Sequence, residues 1–480
     1  MAAAAEHSGA RAFLAIAALA LGAGAVLSGC ASSRGLAPQA SLRDANTLAA
    51  ERALAGAAVS AAAWPHADWW TTFGDAQLAA LMEEALAGSP TLGIAAARAR
   101  KALAAVEVSH APLLPKVNGG GSNTRALLPE SLAALGGGNW TTFNQIQATL
   151  GWDLDLWGRN RAAYESAVGA ARAAEVDVHA ARLALSTSIA QAYVQLQRDH
   201  LQLDVAQATL AEREHILALT LDRRAAGLDS RLEARQAEAT LHVSRVRIAQ
   251  LQERIALARN QIAALLGAGP DRGLAIARPE ARALVPVALP SAIPAELLGR
   301  RPDLVAQRWR VEAASRDIGS AKAQFYPDVN LMALAGFQSL GTASLLTSAN
   351  RLMGISAGIS FPIFDGGRLR GNLAGRDADY DIAVEQYNQA LADALREVVD
   401  QIASLRSLAD QRNEQAAALA TLQEAYDLSL LRYREGLANY LQVLSAEQPL
   451  LDQRSQAADL RARELELSIN LIRALGGGVL

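Results

Sequence analysis

Apolar residues recur along this chain with two periods, seven over long stretches and two over short ones. Ile189, Leu196, Leu203, Leu210 and Leu217 follow one another at intervals of seven without a gap. Val384, Leu391, Val398, Leu405 and Leu419 repeat the spacing, interrupted only by Arg412. No proline falls between Trp157 and Gly269, or between Ile363 and Gln448. A heptad period predicts helices packed as left-handed coiled coils. Taken as one helix, Arg159 to Ala226 would be roughly 100 Å long at about 1.5 Å per residue. Such a helix needs neighbours along its whole length.

The period of two appears just before each long helix. In Trp140 to Leu154 the even positions include Ile146, Ala148, Leu150, Trp152 and Leu154, and the odd ones Gln145, Gln147, Thr149, Gly151 and Asp153. From Ile146 onward one face is apolar and the other polar. Met353, Ile355, Ala357, Ile359 and Phe361 alternate in the same way with Gly354, Ser356, Gly358 and Ser360. Val329, Leu331, Ala333, Ala335 and Phe337 alternate passably, whereas Lys116 to Arg125 is Gly-rich and is read as a strand mainly by analogy with its partner segment. Strands of about ten residues, apolar outward and polar inward, suit a lipid-embedded barrel. Four strands cannot close, closure takes about eight or more, and an open edge inside a bilayer leaves backbone groups unsatisfied. The barrel is therefore expected to be shared between chains.

The two sets of elements form a duplication. Pro90 and Pro115 enclose one short helix and Pro302 and Pro327 another, both pairs 25 residues apart, with an offset of 212 between copies. Beyond, the offset is 209: Gly158-Arg159 matches Gly367-Arg368, Gly227-Leu228 matches Gly436-Leu437, and Leu266-Gly267 matches Leu475-Gly476. The expected organisation is a signal peptide over 1–29, an N-terminal segment over 30–89, a first repeat over 90–269, a connector over 270–301 and a second repeat over 302–480. Each repeat reads short helix, strand pair (116–155 and 328–364), then two long helices (159–226 and 229–266; 367–435 and 438–475). Pro449 falls inside the last of these, where the first copy has Thr240, and predicts a local kink.

Composition adds destination more than chemistry. A net charge of −3 gives no reason to expect nucleic acid as a partner. Arg11 precedes an uncharged apolar run, Ala12 to Leu27, too short to span a bilayer and placed like a secretory signal. It ends in Leu27-Ser28-Gly29-Cys30, which resembles the lipobox of bacterial lipoproteins. That resemblance implies acylation of Cys30, the sole cysteine, as the mature N-terminus. Ala31 stands where an inner-membrane retention signal would place Asp, so the outer membrane is expected.

Several motifs, in order, resemble the outer membrane efflux proteins, the TolC and OprM family, in its lipoprotein branch. They are Asp68-Trp69-Trp70 with Phe73 and Asp75; Trp152-Asp153-Leu154-Asp155-Leu156-Trp157-Gly158-Arg159; Arg300-Arg301-Pro302-Asp303; Ile318-Gly319 with Ala321-Lys322-Ala323; Phe361-Pro362-Ile363-Phe364-Asp365-Gly366-Gly367; and Ala474-Leu475-Gly476-Gly477-Gly478. The resemblance implies a mixed α and β fold. A homotrimer would supply four strands per chain to a 12-stranded outer-membrane barrel, continuous with a coiled-coil helical barrel in the periplasm. It implies an exit duct of a tripartite efflux system, lipid-anchored in the outer membrane, with a periplasmic adaptor and an inner-membrane RND-type pump as partners. The tips on which the adaptor would dock are Ala226-Gly227-Leu228-Asp229-Ser230 and Glu435-Gly436-Leu437-Ala438-Asn439-Tyr440. The periplasmic gate maps to Leu441, Gln442 and Ser445. Relatives often carry Asp at the last two positions, so a hydrophobic constriction at Leu441 is expected here in place of an acidic ring, although Glu447 lies nearby in sequence.

No enzyme, cofactor or metal is expected. Gly354-Ile355-Ser356-Ala357-Gly358 matches a nucleophile elbow, but that motif needs a sharp strand-to-helix turn and here lies in an alternating strand. His179, His200, His215 and His242 have no metal-ligand spacing and read as solvated positions. Gly119-Gly120-Gly121, Gly136-Gly137-Gly138 and Gly476-Gly477-Gly478 lack the context of a phosphate loop and read as flexible segments. The alternatives to an efflux duct are a protein (type I) secretion conduit and a periplasmic coiled-coil adaptor. An adaptor should have one helical hairpin and no paired lipid-facing strands, so the duplication argues against it.

Overall fold

Each half of the computed structural model runs helix, two strands, two long helices; residues 32–49, 51–54, 64–131, 138–280, 299–341 and 344–478 are described. Cys30 and Gly136-Gly137 lie outside them. After a helix α1 (Ala76–Gly88), the first half comprises α2 (Pro90–His110), β1 (Lys116–Leu127), β2 (Trp140–Asp153), α3 (Arg159–Ala225) and α4 (Arg231–Leu266). The second comprises α5 (Pro302–Ala323), β3 (Asp328–Leu340), β4 (Arg351–Ser360), α6 (Arg368–Arg434) and α7 (Tyr440–Ala474). Helices α3 and α6 have 67 residues each. No described helix is long and apolar enough to cross a membrane.

The residues group into two units. One contains Ala99–Ala174 and Gln307–Tyr387 with the described chain up to Leu42; the other contains Arg43–Arg98, Glu175–Ala306 and Asn388–Leu480. In the first unit the strands form one antiparallel sheet in the order β1-β2-β3-β4. Its register puts Val117 opposite Leu150, Leu150 opposite Ala333 and Ala333 opposite Ile355. Directly paired residues share a face, so the apolar stripes of β2, β3 and β4 merge into one surface, which Val117, Gly119 and Gly121 of β1 extend. The opposite face carries Gly120, Gln147, Gly336 and Leu352 in another such row. At Gly336 a methyl group would overlap the Ile146 carbonyl oxygen, so that crossing needs glycine.

The strand-to-helix junctions are built alike in both halves. Asp155 accepts from the Asn160 and Arg161 amides at 2.9 and 2.8 Å, and Asp365 from those of Gly367 and Leu369 at 3.0 and 2.8 Å. Each carboxylate satisfies amides that the first helical turn leaves without intrahelical partners.

The main core of the second unit joins Trp69, Trp70, Leu78, Leu81 and Met82 to Ile189, Tyr193 and Leu196 of α3, Ile262 of α4 and Ile469 of α7. Both heptad series begin fully buried, Ile189 and Leu196 in one, Val384 and Leu391 in the other. Arg301 is buried and donates to Asp303, to Glu397 at 2.9 Å and to the Ala474 carbonyl at 3.2 Å. Gly476-Gly477-Gly478 is not a flexible end. All three have positive φ, and a methyl at Gly476 would overlap the Arg300 carbonyl. In the first half Gly267, at φ 78°, makes the matching approach, with a built Cβ 2.5 Å from Pro90 Cδ and 3.3 Å from the Gly88 carbonyl. These glycines let a long helix stop against backbone, where any side chain would intrude. His200 also departs from expectation. It is half-buried and its Nε2 has no hydrogen-bond partner among the described residues, and burial, reinforced by Arg278 and Arg259, lowers its pKa.

Candidate functional site

Two surfaces carry the functional argument, one in each unit. The first is the sheet's apolar face. Val117, Ile146, Met353, Ile355 and Ile359 are exposed on it, Ile355 at 89%. Trp152, Trp157 and Phe361, at or just beyond the strand ends, are exposed too. The Trp157 indole donates to the Pro327 carbonyl at 2.7 Å and stacks on Tyr326 at 4.8 Å. Aromatics with an apolar body and a satisfied polar edge suit a membrane–water boundary. Ser356 lies within β4, opposite Met332, with no strand-to-helix turn to expose it.

The second surface is the pair of hairpin tips. Both turns adopt the same backbone solution. In the first, Gly227 has φ 77°, its amide donates to the Arg224 carbonyl at 3.0 Å, and the Leu228 amide donates to the Arg223 carbonyl at 2.9 Å. In the second, Gly436 has φ 80°, with Gly436 donating to Tyr433 at 3.1 Å and Leu437 to Arg432 at 2.8 Å. These are Schellman ends, whose left-handed residue is cheapest as glycine. The next helices start on side-chain caps. Ser230 and Glu233 make a reciprocal capping box at α4, and Asn439 accepts from the Gln442 amide at α7. Gly227, Leu228, Ser230, Gly436, Leu437 and Asn439 are exposed, and Ala438 is half-buried. Tyr440 is fully buried as the first residue of α7 and belongs to the packed side of the tip.

The side chains around the turns differ. Asp229 points inward and pairs with Arg223 at 3.0 Å, both side chains less than a tenth exposed. The Tyr433 hydroxyl donates to Asp229 at 2.6 Å and lies 2.9 Å from Thr220 Oγ1. Arg223 also donates to the Tyr433 carbonyl at 2.6 Å and lies 4.4 Å from its ring centroid. Burial, then the Asp229 carboxylate, push the Tyr433 phenol up to about 12. The hydrogen bond to Asp229 raises the Arg223 guanidinium above its ordinary value. Arg223, Thr220 and Tyr433 were not among the residues expected from sequence. A signal existed, because Tyr426, Tyr433 and Tyr440 continue the heptad of Leu419 and all three are buried.

On α7 the first turns split into two faces. Tyr440, Val443, Glu447 and Leu450 are buried, while Leu441, Gln442, Ser445 and Gln448 are exposed. Leu441, Gln442 and Ser445, the positions mapped to the gate by resemblance, thus lie together on the open side, Leu441 at 58% exposure. Glu447 is not available as a ring of charge. It is 2% exposed, and Arg213 donates to its two carboxylate oxygens at 2.9 and 3.2 Å. No group of acidic, His and Cys side chains with metal-binding geometry occurs among the described residues.

The sequence profile described as "Outer membrane efflux protein" matches residues 81–268 and, separately, 293–477. The chain is 41% identical over 361 residues to the fusaric acid resistance protein FusA of Burkholderia cepacia, covering 74% of this chain and 67% of that one. It is 32% identical over 469 residues to the multidrug resistance outer membrane protein MdtP of Escherichia coli, covering 95% of each. The structure is similar to the outer membrane protein VceC of Vibrio cholerae, with a TM-score of 0.81 and 38% identity over 87% of this chain and all of that one. The chain belongs to the outer membrane efflux protein family. It is an outer-membrane efflux channel, and the double match registers the duplication read from its sequence.

Proposed function

We propose that the chain works as a homotrimeric exit duct, conducting small organic molecules passively and catalysing nothing. The observation that carries this is the four-stranded sheet with an apolar surface running across β2, β3 and β4 and, among the described residues, two unpaired edge strands, β1 and β4. Three copies joined β4 to β1 make twelve strands, which removes every edge, and an apolar exterior then meets lipid. Cys30 is acylated and adds an anchor. The tips around Gly227, Leu228, Asp229, Ser230 and around Gly436, Leu437, Ala438, Asn439 receive a periplasmic adaptor that links the duct to an inner-membrane RND-type pump. Leu441, Gln442 and Ser445 converge on the trimer axis, where a ring of leucines excludes water and so blocks hydrated solutes. Relatives named for resistance to fusaric acid and to multiple drugs support small-molecule cargo over secreted protein.

Planar-bilayer conductance of the purified oligomer tests the gate. Leu441→Ala should raise single-channel conductance, and Ser445→Asp should make it more cation-selective. The sheet phase is tested in parallel. Ile359→Arg should cost about 2–4 kcal/mol if it lies near mid-bilayer, with Gln147→Arg tolerated on the other face. Equal damage at both faces, or a protein that elutes as a folded monomer, would remove the barrel reading. An unchanged conductance in Leu441→Ala would remove the gate.

A further inference from the structure

Glu447 lies two residues before Pro449, on the buried side of the helix segment that presents Leu441, Gln442 and Ser445. Its partner Arg213 comes from α3, and the same guanidinium donates to the Thr240 carbonyl at 3.2 Å and to Ser244 Oγ at 3.0 Å on α4. One buried, fully paired charge cluster therefore joins three helices. The side chains are 9% and 3% exposed. On one side the cluster borders a cleft of about 230 Å³ lined in part by Gln202, Thr209, Val243 and Leu451, so packing there is incomplete.

The α7 ladder is weak at the same level. Pro449 has no amide to give the Ser445 carbonyl, and its ring crowds that carbonyl. Ser445 Oγ donates to the Leu441 carbonyl at 2.7 Å, a back-bond of the kind that bends helices. The segment 440–448 is thus set off from the rest of α7 by a soft turn. What holds it is the packing of Tyr440 and Val443 with Tyr433, the side-chain hydrogen bond between Tyr440 and Thr240, and the Arg213 pair. Apolar contact is tolerant of sliding. A bidentate ion pair fixes register, because its two hydrogen bonds fail together when the helices shift.

We propose that Arg213–Glu447 is an intrachain clamp that holds segment 440–448 against α3, that Pro449 is the pivot about which the segment swings when the clamp is released, and that this pair sets the aperture at Leu441. Arg213 and Glu447 are then positioning residues that never touch cargo. The link to aperture rests on Leu441, Gln442 and Ser445 being the constriction; the clamp and pivot do not.

Two variants should act in opposite directions on the full-length protein. Glu447→Gln keeps the shape and removes the charge. Amide hydrogen exchange at 444–448 should rise about ten-fold or more over the wild type, with exchange in α1 unchanged and the conducting state more often occupied. Pro449→Ala restores a donor to the Ser445 carbonyl, so its fold is not at risk, and exchange at 444–448 should slow several-fold. Exchange in Glu447→Gln within about two-fold of the wild type would overturn the clamp whatever the conductance does. Unaltered exchange in Pro449→Ala would overturn the pivot. Faster exchange with no change in conductance in either Glu447→Gln or Leu441→Ala would leave the clamp standing and overturn the constriction.

Discussion

The two hairpin tips descend from one repeated unit, and they keep its backbone while dividing its side-chain chemistry. Both end a 67-residue helix in a Schellman turn at glycine and start the next on a polar cap. At the offset of 209, Asp229 corresponds to Ala438, Glu238 to Glu447 and Thr240 to Pro449. In the first tip the turn itself carries the buried charge, Asp229 with Arg223, and Glu238 stays at the surface beside Arg235. In the second the turn carries none, its helices meet through Tyr433 and Tyr440, and the charged contact moves to Glu447, next to a proline. The first tip is tied at its end. The second has its own ion pair at Glu447, nine residues or about two and a half turns beyond the position matching Asp229, just before the proline that weakens the ladder. The same fold thus places the first hairpin's ion pair at its turn and the second's beside a proline, with Tyr433 linking the second to the Arg223–Asp229 pair, and the residues read as the gate lie on the second.

The sharpest way to break this comparison is Asp229→Ala. It leaves Arg223 buried without its carboxylate and Tyr433 without its acceptor, and removing one partner of a buried pair costs about 3–5 kcal/mol. Thermal unfolding of the purified protein and local exchange should show both hairpins loosened, since Tyr433 belongs to the second. A loss below about 1 kcal/mol, the scale of an exposed pair, would mean that the first tip is not held by charge.

The shared backbone predicts equality where the side chains predict difference. Gly227→Ala and Gly436→Ala should each cost about 1–2 kcal/mol from the left-handed φ alone. Among the described residues nothing lies within 4 Å of the added carbon at either site, so no clash within the chain complicates the reading. Unequal costs would show that the turns are not equivalent. The smallest effect is alkaline. Burial and then Asp229 raise the Tyr433 phenol from its ordinary value of 10.0 to about 12. The folded state therefore holds this proton when the unfolded state has lost it. That contribution is complete below pH 10 and disappears as pH rises through about 12. In Tyr433→Phe this part of the alkaline stability profile should flatten; an unaltered profile would mean that other groups set it.

Much of the fold was legible because it is periodic. Heptads at Ile189 to Leu217 and Val384 to Leu419 mark the long helices, alternation at Ile146 to Leu154 marks a strand, and the offset of 209 relates the halves. Even β1, whose glycines hide any alternation, was placed by its counterpart β3. The tip glycines were legible for a local reason, since a left-handed residue ends a helix most easily without a side chain. The charged interior of the tips was not. Nothing in the one-dimensional pattern separates Glu238 from Glu447, or Arg213 from the other arginines of its helix. Gly476-Gly477-Gly478 looked like a flexible end because its close approaches are to Arg300 and to Pro65, far away in the chain.

By itself, then, the sequence determined what depends on spacing along the chain: helix, strand, duplication, the turn glycines and the membership of a family of outer-membrane ducts. Tertiary structure alone decided which polar groups went inside. Whether a carboxylate stays in water or is drawn into an ion pair depends on the desolvation it suffers and the cation that meets it. At Glu447 that cation arrives from Arg213, 234 residues earlier in the chain.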